Sequence, residues 1–196
     1  MAELLGGRLT RSAYALMLRN LEPIYFELEA GFLRHAAHPG VRPLFQAPLF
    51  RLRALHQDLE TLHGDSWRDE VKLLDGSIAY VARLRHLTEF QPELLAAHAY
   101  GRYLGDLSGG QMLSGIVARS LGLSANDGPN WGTDFYNFGD ADTVLGLAQA
   151  FRSGLAMLTA DGIAAEARLA FEMHFQLFED LANCCGLRSA AVTPLD

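Results

Sequence analysis

The spacing of hydrophobic positions predicts that the chain folds almost entirely into helices. Between Thr10 and His35, apolar side chains recur every three or four residues, which places them on one face of a helix. The same spacing predicts five more helices, over about Leu49–Leu62, Ser77–Phe90, Gln91–Leu121, Ala141–Leu158 and Asp161–Cys185. No segment shows the sustained alternation of a β-strand. We therefore expect an all-α fold, a multi-helix bundle that forms a single domain over residues 1–196.

Individual residues refine these helices. Pro23 lies inside the first helix and is expected to bend its axis, because proline removes a backbone donor. Pro92 suits the first turn of the fourth helix, and Gly122 follows its last residue. In the fifth helix, the apolar spacing predicts that Leu145 faces the core together with Phe151.

Charge and composition exclude several classes of function. A formal net charge of −7, with Lys72 as the single lysine, disfavours nucleic acid as a partner, because phosphate binding needs clustered cations. No apolar run is long enough to cross a bilayer, and the first residues lack the pattern of a secretory signal. We therefore expect no membrane partner and a cytoplasmic location. Cys184 and Cys185 are adjacent, so they are expected to be reduced thiols rather than a disulfide framework or a zinc site.

One stretch of the fourth helix is rich in glycine. Gly101, Gly105 and Gly109 fall four residues apart, which aligns them on one helical face, although each glycine costs about 1 kcal/mol in a helix interior. Such a bare ridge could pack closely against another helix or accept a flat ligand. On spacing alone the helix contact is the more common use.

Polar neighbours of the ridge favour the ligand. Asp106 and Ser108 lie within the same segment, where a dry contact between helices gains nothing from them. The simplest alternative for Asp106 is an ion pair with Arg102, four residues earlier on the helix.

The segment Leu95–Gly110, LAAHAYGRYLGDLSGG, resembles the signature of the heme oxygenases. The resemblance continues through Ile24–Glu29, Phe151–Ser153 and Phe175–Glu179, and covers the chain from about Leu4 to Leu187. It implies an enzyme that cleaves heme b to biliverdin, carbon monoxide and ferrous iron. Heme is then both cofactor and substrate, dioxygen is consumed, and a reductase or a ferredoxin-like protein supplies electrons.

The resemblance also implies roles for particular residues. The backbone at Gly105 and Gly109 is expected to lie against one face of heme, and Asp106 to order the water that delivers protons, without ligating iron. Tyr100 and Arg152 are expected to contact the heme propionates.

The axial ligand is the point of departure from the family. In heme oxygenases the axial histidine lies on a helix before the segment that matches Leu4–Thr10, so we assign no histidine of this sequence to iron. We interpret the start as truncated or misassigned; the alternative is a natural departure that no longer binds iron through histidine. By resemblance His98 is structural, and His174, among phenylalanines, is interpreted as a core or supporting residue. A non-catalytic module that binds heme or another tetrapyrrole is the alternative, and a helical scaffold with an unrelated ligand is a third hypothesis.

Overall fold

Residues 10–123 and 132–186 are described by a computed structural model, and their regular elements are all helical. The eight α-helices are α1 Arg11–Arg34, α2 Leu52–His63, α3 Trp67–Glu70, α4 Asp75–Phe90, α5 Leu95–Ala99, α6 Gly105–Leu121, α7 Ala141–Ala156 and α8 Ile163–Cys184. Short 3-10 turns form at Arg42–Leu44, Ala47–Leu49, Pro92–Leu94 and Asp134–Tyr136. The predicted all-α class is confirmed.

Helix α1 lies at the centre of the bundle. Its first turn is capped by Thr10, whose side-chain oxygen accepts a hydrogen bond from the Ala13 amide at 3.2 Å. The apolar face predicted from the sequence is buried, with Tyr25, Leu28 and Phe32 wholly enclosed. This face packs against α2 and α4, while α4 and α5 pack against α8. Pro23 lies inside the helix, and the bend expected there stays a prediction.

The predicted fourth helix is divided into parts. A 3-10 turn over Pro92–Leu94 and the short α5 lead into a wider π-helical turn, Tyr100–Leu104, before α6 begins at Gly105. A π turn accommodates an additional residue, and such turns are frequent at functional sites. Here the turn buries two consecutive large side chains, Arg102 and Tyr103. The spacing of apolar residues carries no signal for such a local change of pitch.

Helix α7 corrects one expectation. Leu145 is 54% exposed, so the prediction that it faces the core is wrong, whereas Phe151 is fully buried. The contact face of α7 is narrow: it packs on the turn Arg42–Leu44, where Gly154 lies so close that a methyl group would collide with the Pro43 carbonyl. The apolar face that the sequence predicts for α7 is therefore wider than the surface that the turn Arg42–Leu44 can cover.

Two expectations from composition can be compared with the structure. Cys184 and Cys185, at the end of α8, carry free thiols, as predicted. None of the described helices is both long enough and apolar enough to cross a bilayer.

Candidate active site

The glycine ridge is open on its outer side. A methyl group built on Gly101 or Gly105 would meet no described atom within 4 Å, and one on Gly109 would meet only Leu113 of its own helix, at 3.6 Å. Gly110 differs, because its added methyl would lie 3.0 Å from the Tyr136 carbonyl oxygen. Of the two uses considered for the ridge, close helix packing is therefore absent from the described part of the chain.

A buried acid lies beside the open glycines. Asp106 is 8% exposed and accepts a hydrogen bond from the hydroxyl of Tyr25, which α1 presents from the core. Among the described ion pairs none joins Asp106 to Arg102, so the simple helical pair is not what the structure contains. Burial raises the pKa of Asp106, while the nearby charges of Arg102 and Arg51 and the hydrogen bond from Tyr25 oppose that rise.

Aromatic packing fixes the position of the Tyr25 ring. Phe135 meets it edge-on, with ring centroids 5.4 Å apart, and Tyr103 of the π turn lies at 6.1 Å. The segment that carries Phe135 is held by Asp58 of α2, whose carboxylate accepts the amides of Asp134 and Phe135 at 2.8 Å each. The Tyr25 ring is therefore positioned by the π turn and by the Asp134–Tyr136 turn, which α2 in turn holds through Asp58.

A second buried acid supports the same region from α1. Glu29 accepts the backbone amides of Arg51 and Leu52, at 2.5 and 3.1 Å, and so caps the start of α2. Burial raises the pKa of Glu29 to about 7, although these two hydrogen bonds act in the opposite direction. The Arg51 guanidinium donates to four backbone carbonyls, including that of Asn137 at 2.7 Å, and lies 3.9 Å above the Phe138 ring.

Polar side chains also join the segment before α6 to α8. Arg102, buried within the π turn, donates from Nη2 to Nε2 of His174 at 3.1 Å. His98 is fully buried between the Tyr80 hydroxyl, at 3.1 Å, and the Glu166 carboxylate, at 2.8 Å. The structural role expected for His98 agrees with these contacts.

Tyr100 and Arg152, the expected propionate contacts, lie on two different elements. Tyr100, on the π turn, is 41% exposed, and its ring meets that of Phe171 edge-on at 6.3 Å. Arg152 is exposed on α7, and the residue before it, Phe151, packs on Tyr103 with centroids 6.2 Å apart. Both side chains are thus accessible to a ligand. Tyr100 belongs to the π turn, and Arg152 follows a residue that packs against that turn.

Comparison with known proteins identifies the family. The family model described as heme oxygenase matches residues 1–180. The chain belongs to the heme oxygenase family. It is 37% identical to heme oxygenase 1 of Nostoc over an alignment of 182 residues, which covers 90% of this chain and 75% of that protein. The solved heme oxygenase-1 of Synechocystis, in complex with heme, matches at 34% identity with a TM-score of 0.84, over 95% of this chain and 86% of that one. Heme oxygenase from Leptospira interrogans matches at 32% identity and a TM-score of 0.83, over 90% and 87% of the two chains.

Several residues of the candidate site were not found from the sequence. Tyr25 was read as part of an apolar face, and Glu29 and Arg51 were not singled out. Glu29 carried a usable signal, because it lies on the buried face of α1 between Tyr25 and Phe32, where an unpaired carboxylate is costly. Arg51 carried no such signal, since its partners are backbone carbonyls brought together by the fold.

Proposed function

We propose that this chain cleaves heme b to biliverdin, carbon monoxide and ferrous iron, with dioxygen as co-substrate. The observation that carries the proposal is the open backbone at Gly101 and Gly105 next to the buried pair of Tyr25 and Asp106. Membership of the heme oxygenase family supports it. Electrons come from a reductase or a ferredoxin-like protein, and the reaction takes place in the cytoplasm.

The site suits a flat, largely apolar ligand with an acidic edge. A helix surface without side chains lets a porphyrin ring approach the backbone, and the half-exposed rings of Tyr100 and Phe171 lie at one end of that surface. In this proposal Gly105 and Gly109 hold one face of heme. When bound, heme supplies the iron that activates dioxygen.

Asp106 is the proposed catalytic residue. Tyr25 donates to Oδ2 of Asp106, and Oδ1 has no hydrogen-bond partner among the described residues, so it can accept from a water. Burial raises the pKa of Asp106, and this favours the protonated form of the carboxyl group that orders the proton-delivering water.

The propionates of heme are assigned to Tyr100 and Arg152. The guanidinium of Arg152 can bind a carboxylate through two parallel hydrogen bonds, and its exposure on α7 suits the acidic edge of a ligand that reaches the surface. Ala148, one turn earlier, is buried and supplies no second cation on this helix.

The first test is a hemin titration followed in the Soret band, with and without added imidazole, which can occupy an iron position that no described histidine is proposed to fill. We expect saturable binding in at least one of these two conditions. Arg152→Ala should weaken hemin binding by up to about fivefold, because an exposed ion pair contributes up to about 1 kcal/mol. Arg85→Ala, which removes an exposed arginine paired with Glu27 on the surface, is the matched control. Absence of saturable binding in every condition would overturn the proposal.

The second test measures biliverdin and carbon monoxide with an added electron donor. Asp106→Asn preserves the size of the side chain but removes its proton, so we expect turnover to fall by about 100-fold or more while hemin binding changes little. Equal turnover in Asp106→Asn and wild type would remove Asp106 from the mechanism. Tight hemin binding without any turnover of the wild type would favour the non-catalytic module.

A further inference from the structure

His174 of α8 is a hydrogen-bond partner of a buried cation near the proposed active site. Its Nε2 accepts from Nη2 of Arg102 at 3.1 Å, and Arg102 is 9% exposed. Throughout residues 10–123 and 132–186, no carboxylate lies within ion-pair distance of this guanidinium. The imidazole therefore supplies an acceptor that a buried arginine needs.

The contact dictates the chemical state of His174. A guanidinium can only donate, so Nε2 must present a lone pair and the ring proton must reside on Nδ1. Burial, reinforced by the charge of Arg102, lowers the pKa of His174 to about 2. Nδ1 is enclosed and has no partner among the described residues, and the Phe178 ring packs against the imidazole at 4.5 Å between centroids. The ring is thus neutral, in one tautomer, and held in place.

The Arg102 guanidinium, which His174 contacts, influences the pKa of Asp106. Arg102 interacts electrostatically with Tyr25, Asp106, Tyr80 and Tyr136, which reach it from α1, α6, α4 and the turn Asp134–Tyr136. The positive charge favours the ionised form of Asp106 and opposes the effect of burial. A displaced guanidinium would leave that acid more strongly protonated.

We propose that His174 is a positioning residue for heme cleavage, which fixes the Arg102 guanidinium within electrostatic reach of the Tyr25–Asp106 pair. This role rests on the proposed function, in which Asp106 delivers protons. His174 touches neither substrate nor the reacting atoms in this proposal and acts only through Arg102.

The first experiment uses the full chain without heme, so that it does not depend on activity. Nitrogen-15 NMR of labelled histidine should find His174 neutral and protonated on Nδ1 from pH 5 to 9. Protonation within that range, or a proton on Nε2, would overturn the proposal. Carbon-13 NMR of the Asp106 carboxyl should then titrate at higher pH in His174→Leu than in wild type, and at the wild-type pH in His174→Gln, whose amide oxygen retains an acceptor.

The second experiment compares turnover in the heme-loaded protein. His174→Leu should slow turnover about tenfold or more, as loss of a supporting hydrogen bond does in metal sites, while His174→Gln stays near the wild-type rate. His86→Leu, at an exposed position of α4, is the control and should leave turnover unchanged. If His174→Gln is as slow as His174→Leu, or both match the wild type, the positioning role is wrong. Should the wild type bind no heme, the proposed function fails, while the two NMR measurements still decide whether His174 holds Arg102.

Discussion

A methyl group on the open glycine ridge should affect stability and ligand binding in opposite directions. Gly105 lies at the first position of α6, and an added Cβ meets no described atom within 4 Å. Alanine is favoured over glycine in helices by about 1 kcal/mol, so Gly105→Ala should stabilise the chain without heme by up to about that amount. For a chain of this size the gain corresponds to a melting temperature higher by roughly 2–4 °C.

The same methyl group should weaken hemin binding. If the porphyrin lies against the backbone at Gly105, the methyl occupies the contact surface, and overpacking of this kind costs about 1–3 kcal/mol. Hemin affinity should then fall roughly tenfold or more. The assay is a thermal melt of the heme-free chain combined with a Soret titration of the same preparation.

Two other glycines are matched controls. Gly146 of α7 is also open on its outer side but lies outside the proposed site, so Gly146→Ala should raise the melting temperature without changing hemin binding. At Gly110 the methyl would lie 3.0 Å from the Tyr136 carbonyl, so Gly110→Ala should not raise it. A lower melting temperature for Gly105→Ala would mean that the ridge supports packing, and unchanged hemin affinity would mean that heme binds elsewhere.

Three further predictions concern the polar groups that support the site. Asp58→Ala removes the two carboxylate oxygens that accept the amides of Asp134 and Phe135. The free energy of unfolding, measured with urea, should fall by about 2–3 kcal/mol; a loss below about 0.5 kcal/mol would contradict the anchoring role. Glu29 binds more protons in the folded chain than in the unfolded one between about pH 4.5 and 7, so stability should fall as pH rises through that window, and Glu29→Gln should flatten the fall; equal slopes would refute its raised pKa. Glu166→Gln weakens the contacts of this carboxylate with both His98 and Arg83 and should lower the free energy of unfolding by about 2 kcal/mol, measured with denaturant; an unchanged midpoint is the contrary result.

The helices could be predicted well because their signals are local. The apolar spacing that predicted a helix over Thr10–His35 is the spacing that α1 buries, and Gly122 ends α6 where the sequence predicted. The interruption at Tyr100–Leu104 was missed, because whether an additional residue enters a turn depends on the neighbours of Arg102 and Tyr103, which are distant in sequence.

The candidate site was predictable only where a motif carried it. The glycines and Asp106 stand in a short segment whose low helix propensity needs an explanation, so sequence alone was sufficient to select them. The partners of Asp106 and Arg102 come from 81 and 72 residues away in sequence, and no local pattern links such positions. Leu145 illustrates the opposite error, in which a periodic pattern extends beyond the surface that a neighbour can bury.

The two polar contacts between the segment before α6 and α8 have a mechanical consequence. His98 contacts Glu166, and Arg102 contacts His174, so two hydrogen bonds join the segment before α6 to α8. The two contacts lie about one helical turn apart along that segment and about two turns apart along α8. Two contacts oppose rotation of the segment against α8 as well as its separation from α8. Leu95–Arg102 and the facing part of α8 should therefore open to solvent as one unit, with similar rates of amide hydrogen exchange. Any motion that admits or releases a large flat ligand is then expected in the chain beyond Arg102, where the helix has a bare side at Gly105 and Gly109.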